Sequence, residues 1–147
     1  MKRFYAVFDT NVLVSALLSS RKNSPTAKLL DYVIDECIIL LYNEDILREY
    51  DEVLHRAKFN FSDDRIQIVL ELVKTGLRLD PTPSGEYFPD EDDRVFYEVS
   101  LSKEGSYMVT GNLRHFPSNA IVVSPADMIQ IIISRSEERR VGKECRS

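Results

Sequence analysis

The sequence predicts an α/β fold, a three-layer α/β/α sandwich around a central, mainly parallel sheet of about four to five strands. Three observations carry this expectation. Short runs that are apolar at nearly every position recur along the chain, as in strands buried on both faces. Stretches with apolar residues at helical spacing separate them. Several of these stretches open on a capping residue soon after an apolar run, so that strand and helix alternate through short connections.

Taken in order, "RFYAVF" is the first strand and ends at Asp9. "TNVLVSALLSS" follows as a helix, with Val12, Leu13, Ala16 and Leu17 at helical spacing. Ser24 as N-cap and Pro25 at the first position open the next helix, striped by Leu29, Leu30, Val33 and Ile34. "CIILLY" is the second strand. Asn43 caps a helix expected to run on to Ala57, with Ile46, Leu47, Tyr50, Val53 and Leu54 on its apolar face. Ser62 caps another, striped by Ile66, Val69, Leu70 and Val73 and stopped at Gly76. That stripe is also the candidate surface for pairing two copies into a dimer. "LRL" is a short strand leading into a loop rich in Pro and Gly. "DEDDRVFYEVSLSKEG" reads as one helix closed by Gly105. "SYMV" is a strand that turns at Gly111, and "AIVV" is the last strand. Ser124 and Pro125 start the closing helix, "PADMIQIII".

The chain has 147 residues, 44% hydrophobic and 29% charged, the balance of one globular domain with its own core. No apolar run reaches the roughly 18–20 residues of a membrane helix. The apolar start meets Asp9 too soon for a signal peptide, so the expected location is cytoplasmic, with no membrane partner. Residues 1–134 are taken as the domain. Residues 135–147, "RSEERRVGKECRS", show no helical or strand periodicity and resemble a sequencing-library adapter translated in frame, a non-native tail. Without Arg135, Arg139, Arg140, Lys143, Arg146, Glu137, Glu138 and Glu144 the net charge moves from −5 to −7. Cys145 goes with them, leaving Cys37 as a lone thiol beside "IILLY", with no partner for a disulfide or zinc site. Acidity on this scale argues against a protein that coats nucleic acid. It does not argue against an enzyme that gathers cations with carboxylates.

The acids stand in suggestive places. In open parallel sheets, sites lie at the carboxyl ends of strands, and Asp9 is at such an end. Helix capping is the plain alternative for it. On a helical wheel Glu49 falls about 40° outside one edge of its helix's apolar face and Asp51 about 40° outside the other, so geometry does not choose between them. Asp90, Glu91, Asp92 and Asp93 crowd one helix start, where one or two acids would satisfy the dipole. Thr110, Gly111 and Asn112 follow the third long strand, with His115 nearby as a loop residue of no evident role.

In this order the segments "VFDTNVLVSALL", "LREYDEVLHRAKF", "DEDDRVFYEVSL" and "YMVTGNLRHFP" resemble the four motifs of the PIN-domain nucleases, over most of residues 4–127. The resemblance is closest to the subgroup regarded as toxin components of toxin–antitoxin systems. It implies a PIN-like sandwich with Asp9, Glu49 and Asp93 as metal-holding, catalytic carboxylates and Asn112 at a fourth catalytic position that is often Asp. Asp93 fits the family's Asp-x-x-apolar spacing, whereas the wheel turns Asp92 toward the apolar face. The implied cofactor is Mg²⁺ or Mn²⁺, the substrate single-stranded RNA, and the activity an endonuclease leaving 5′ phosphates. A small antitoxin and a dimeric state are the implied partners. Thr10, Asn11, Ser15, Thr110 and Arg114 are the candidates for holding substrate, with Arg48, Arg56 and Lys58 as further cations.

The chemistry suits the residues. A phosphodiester repels hydroxide, and a hard divalent cation held by oxygen ligands offsets that charge. Close carboxylates awaiting such an ion should raise one another's pKa. The neutral oxygen of Asn112 lowers the charge of the set, which leaves a catalytically weak PIN-like domain that binds RNA or protein as the alternative. An aspartyl phosphatase is disfavoured, because "DTN" lacks the second Asp two residues on.

Overall fold

The structure is a computed structural model, and it describes residues 3–19 and 24–142. Residues 143–147, including Lys143, Glu144, Cys145 and Arg146, lie outside the described residues. Among the described residues five strands form one sheet: β1 (Phe4–Phe8), β2 (Ile38–Tyr42), β3 (Leu77–Arg78), β4 (Tyr107–Val109) and β5 (Val122–Val123). The spatial order is β3-β2-β1-β4-β5, and every pairing is parallel. β1 is central. The chain builds β2 and β3 outward on one side of it, then returns to build β4 and β5 on the other. The order therefore reverses between β1 and β4, the kind of crevice where open α/β sheets place their ligands.

Among the described residues six helices flank the sheet: α1 (Thr10–Leu18), α2 (Pro25–Ile34), α3 (Glu44–Leu54), α4 (Asp63–Lys74), α5 (Arg94–Ser100) and α6 (Pro125–Gly142). α5 packs on β1, β2 and β4, α2 on β2 and α6, and α3 on α1, α4 and α5. This is the three-layer α/β/α sandwich that the alternation of elements predicts. Local chemistry sets most helix starts. Ser24, Asn43, Ser62 and Ser124 each accept a backbone N–H three residues on, as a capping side chain does, each contributing about 1 kcal/mol. The stripes face inward, with Leu29, Ile46, Leu54, Ile66 and Met128 almost wholly buried.

Four expectations change. α3 stops at Leu54, and a 3-10 turn, Ala57–Phe59, takes the place of its last turn. The His55 ring bonds the Asp51 carbonyl at 2.8 Å, closing the helix, and Arg56 is extended. The acid-rich segment is not one helix: Glu91–Asp93 is a 3-10 turn, and α5 begins only at Arg94. The α4 stripe is unavailable for pairing copies, because Ile66, Val69, Leu70 and Val73 are all buried in the chain's own core. Finally, α6 continues to Gly142, beyond residue 135, where the sequence shows no periodicity. Among the described residues no helix is long and apolar enough to cross a membrane.

Candidate active site

The acidic side chains gather where the strand order reverses. β1 ends at Phe8 and β4 at Val109, and the Asp9 N–H donates to the Val109 carbonyl at 2.9 Å. The two strand exits therefore run side by side. The Thr110 hydroxyl donates to Asp9 Oδ2 at 2.8 Å and accepts the Asn112 N–H at 2.9 Å. Asp9 occupies the N-cap position of α1, yet its side chain makes no capping bond. Asp9 is only 7% exposed, and burial raises its pKa. The Thr110 hydroxyl, the nearby Asn11 and Thr10 N–H dipoles and the His115 ring offset part of that rise.

Asp93 closes the 3-10 turn and stands at the N-cap position of α5, again without a capping bond. Its Oδ2 lies 3.7 Å from His115 Nδ1. Burial first, and the Asp9 charge second, push its pKa up to about 6, with Asp90 and Asp92 adding and His115 opposing. Asp9 and Asp93 thus form one negative centre. The wheel that turned Asp92 toward the core assumed α-helical spacing, which a 3-10 turn does not have.

Glu49 belongs to a neighbouring set. It is half-buried on α3 and lines an open cleft of about 270 Å³ with Asp45, Arg48, Glu52, Glu91, Asp92 and Val95. Burial raises its pKa first, then the charges of Glu52 and Asp92, while Arg56 lowers it. The turn Glu91–Asp93 joins the two sets, with Asp92 beside Glu49 and Asp93 beside Asp9. Asp51, the wheel's other choice, is exposed and pairs with His55 at 3.1 Å. Among the described residues no group of three His, Cys, Asp or Glu side chains is arranged to hold a metal ion.

Asn112 is half-buried, with Nδ2 3.2 Å from His115 Nδ1. The 3-10 turn Leu113–His115 starts from Asn112 and brings side chains three apart onto one edge. That spacing was the available signal for His115, which sequence reasoning left without a role. Gly111 meets nothing at the position of a Cβ, so the turn does not depend on it. Of the candidate substrate residues, Asn11 and Arg114 are exposed. Ser15 is exposed too and shares a hydrogen bond with Thr26 at 3.0 Å. Thr110 is fully buried, so its hydroxyl serves Asp9 rather than substrate. Thr10 Oγ1 is buried with no hydrogen-bond partner among the described residues.

Tyr50 supports this site from behind. It is fully buried, its hydroxyl donates to the Phe8 carbonyl at 2.6 Å, and its ring lies 6.0 Å from that of Phe96. It ties α3 to the tip of β1. A tyrosine within an apolar stripe needs a partner for its hydroxyl, which is the signal that marks it. Tyr50→Phe should cost about 1 kcal/mol, read as a lower melting temperature, because a buried hydrogen bond is lost with little change of shape.

A family model for the PIN domain matches residues 5–114, most of the chain, from within β1 to the residue before His115. No curated protein and no solved structure matches it.

Proposed function

The chain belongs to the PIN domain family, and on that premise we propose that it is a metal-dependent endoribonuclease acting on single-stranded RNA, the toxin of a toxin–antitoxin pair. The observation that supports this most is the Asp9–Asp93 pair. Two carboxylates with little exposure converge at the switch point, neither caps its helix, and together they hold uncancelled negative charge. Mg²⁺ or Mn²⁺ suits such a set, since these ions keep several waters and take one or two carboxylates plus substrate phosphates. Asp9 and Asp93 would hold the ion, with the Asn112 oxygen beside them and Glu49 contributing from the adjacent cleft. When bound, it polarises the phosphate and makes a water more acidic.

The chain's own residues do the rest. Thr110 fixes the orientation of Asp9 from a dry position behind it. Asp93 would be held ionised by the ion it helps to hold, and one carboxylate of the set would assist removal of a proton from the attacking water. Asn112 and His115 hold each other against the same carboxylate. Asn11, Ser15 and Arg114, all exposed, would meet the strand outside the centre. The second reading, a catalytically weak domain that binds RNA or protein, is favoured by the neutral Asn112 and by the absence of a three-residue metal group among the described residues.

The test is incubation of purified protein with single-stranded RNA, with and without Mn²⁺, and sequencing of the product ends. Cleavage that requires Mn²⁺, leaves 5′ phosphates and stops on chelation is the expected result. Binding without turnover at saturating Mn²⁺ would establish the second reading, and neither binding nor cleavage would overturn both. Expression of the chain in a bacterial host should arrest growth if it is a toxin; unaffected growth removes that part of the proposal.

A further inference from the structure

The turn after α3 carries an arrangement that the acidic centre does not use. The Phe59 and Phe61 rings are stacked, with centroids 5.7 Å apart and an interplanar angle of 17°. Asn60 between them is left-handed, with φ 54°, closing the 3-10 turn so that rings two residues apart can meet. Lys58 Nζ lies 5.2 Å from the Phe59 centroid, and the Arg65 guanidinium lies 5.2 Å from that of Phe61. Both rings are half-buried against the core, while Arg56, Lys58, Asn60 and Arg65 are exposed. Arg56 and Lys58 form no ion pair among the described residues. Arg65 donates to the Leu17 carbonyl at 3.0 Å, fixing the patch to the far end of the helix that Asp9 begins. The local acids, Asp63 and Asp64, lie in the first turn of α4, where they complement its dipole.

We propose that residues 56–65 form a stacking platform for the unpaired bases of a single strand whose phosphate lies at the acidic centre. This rests on the reading that the substrate is single-stranded RNA. Every base has a π-face, so aromatic rings flanked by cations bind a strand with little regard to sequence. Each ring lies against the other and has a cation over it, so a base is received at the outer side of the stack, on the Arg65 guanidinium over Phe61 or in place of Lys58 over Phe59. A chain of net charge −5 needs local cations to hold a polyanion, and Arg56 and Lys58 supply them. Position supports the link. Arg56 lies within electrostatic reach of Glu49. From Glu49 the helix α3 runs five residues further to Leu54, about 7–8 Å at ~1.5 Å per residue, and the platform begins two residues beyond, at Arg56.

The experiment is steady-state cleavage of a single-stranded RNA of about 12 nucleotides by the wild-type chain and by Phe59→Leu with Phe61→Leu, which keeps the half-buried positions apolar. KM should rise roughly tenfold while kcat changes less than about twofold and the melting temperature holds. Abasic sites a few nucleotides from the cleaved bond should raise the wild-type KM similarly and have no further effect on the variant. An unchanged KM, or effects of abasic site and variant that simply add, overturns the platform while leaving the ribonuclease reading intact. If the wild-type chain cleaves nothing, the ribonuclease reading fails by itself. The platform is then read from fluorescence anisotropy of the same labelled strand: roughly tenfold weaker binding by the variant supports it, and equal binding or none by wild type overturns it.

Discussion

Asp9→Asn is expected to lower RNA cleavage by about a thousandfold, because an ion-holding carboxylate contributes several kcal/mol of charge stabilisation to phosphoryl chemistry. The same change should leave the melting temperature unchanged or raise it. Burial raises the Asp9 pKa, so its ionised form sits less well in the fold than in the unfolded chain. Asparagine has the same shape, can still accept the Thr110 hydroxyl, and carries no charge. A carboxylate of merely structural importance would show the opposite pattern, losing stability along with activity. Activity and melting measured on one preparation separate the two: full activity in Asp9→Asn removes Asp9 from the mechanism, and a collapse of stability makes it a structural residue.

The parts of the fold that depend on neighbouring residues could be read from the sequence, and the parts that depend on distant ones could not. The caps at Ser24, Asn43, Ser62 and Ser124 were legible because the side chain and the N–H it accepts lie three residues apart. Gly76 shows the limit. It looked like a helix stop, yet a Cβ there would stand 2.0 Å from the Leu40 carbonyl, so what requires glycine is the backbone of β2, far away in sequence. The site divides in the same way. Motif order named Asp9, Glu49 and Asp93 as candidates, and the structure sets Asp93 beside Asp9 while Glu49 lines the adjacent cleft. The role of Thr110 needed the adjacency of β1 and β4, which brings together residues 101 positions apart. Which of Asp92 and Asp93 lies beside Asp9 turned on a single 3-10 turn that apolar periodicity cannot detect. Tyr50 was counted as core because its ring is core, and only the Phe8 carbonyl reveals what its hydroxyl does.

Without metal, Asp93 should make the protein less stable as pH rises from about 4 to about 6. Its carboxyl ionises near 3.8 in the unfolded chain and near 6 in the fold. Between those values the folded state binds the extra proton, so stability falls with rising pH. The contribution is fully present below 3.8 and is lost as pH passes 6. A shift of about two units corresponds to ~2–3 kcal/mol for a carboxylate as little exposed as this one. The groups that act on it are Asp9 from the end of β1, Asp90 and Asp92 from its own segment, and His115 from the turn after β4. Other carboxylates pull the other way, notably Glu44 and Glu91, whose arginine partners lower their pKa. The quantity to measure is therefore wild type minus Asp93→Asn, by chemical denaturation from pH 4 to 8. That difference should favour wild type at the acid end and shrink or reverse above pH 6. Mn²⁺ should restore the loss at pH 7, because an ion that binds only the folded, deprotonated pair adds its binding free energy to stability. A difference that stays flat with pH, or a Mn²⁺ effect that survives Asp93→Asn unchanged, would remove Asp93 from the centre and leave Asp9 without its partner.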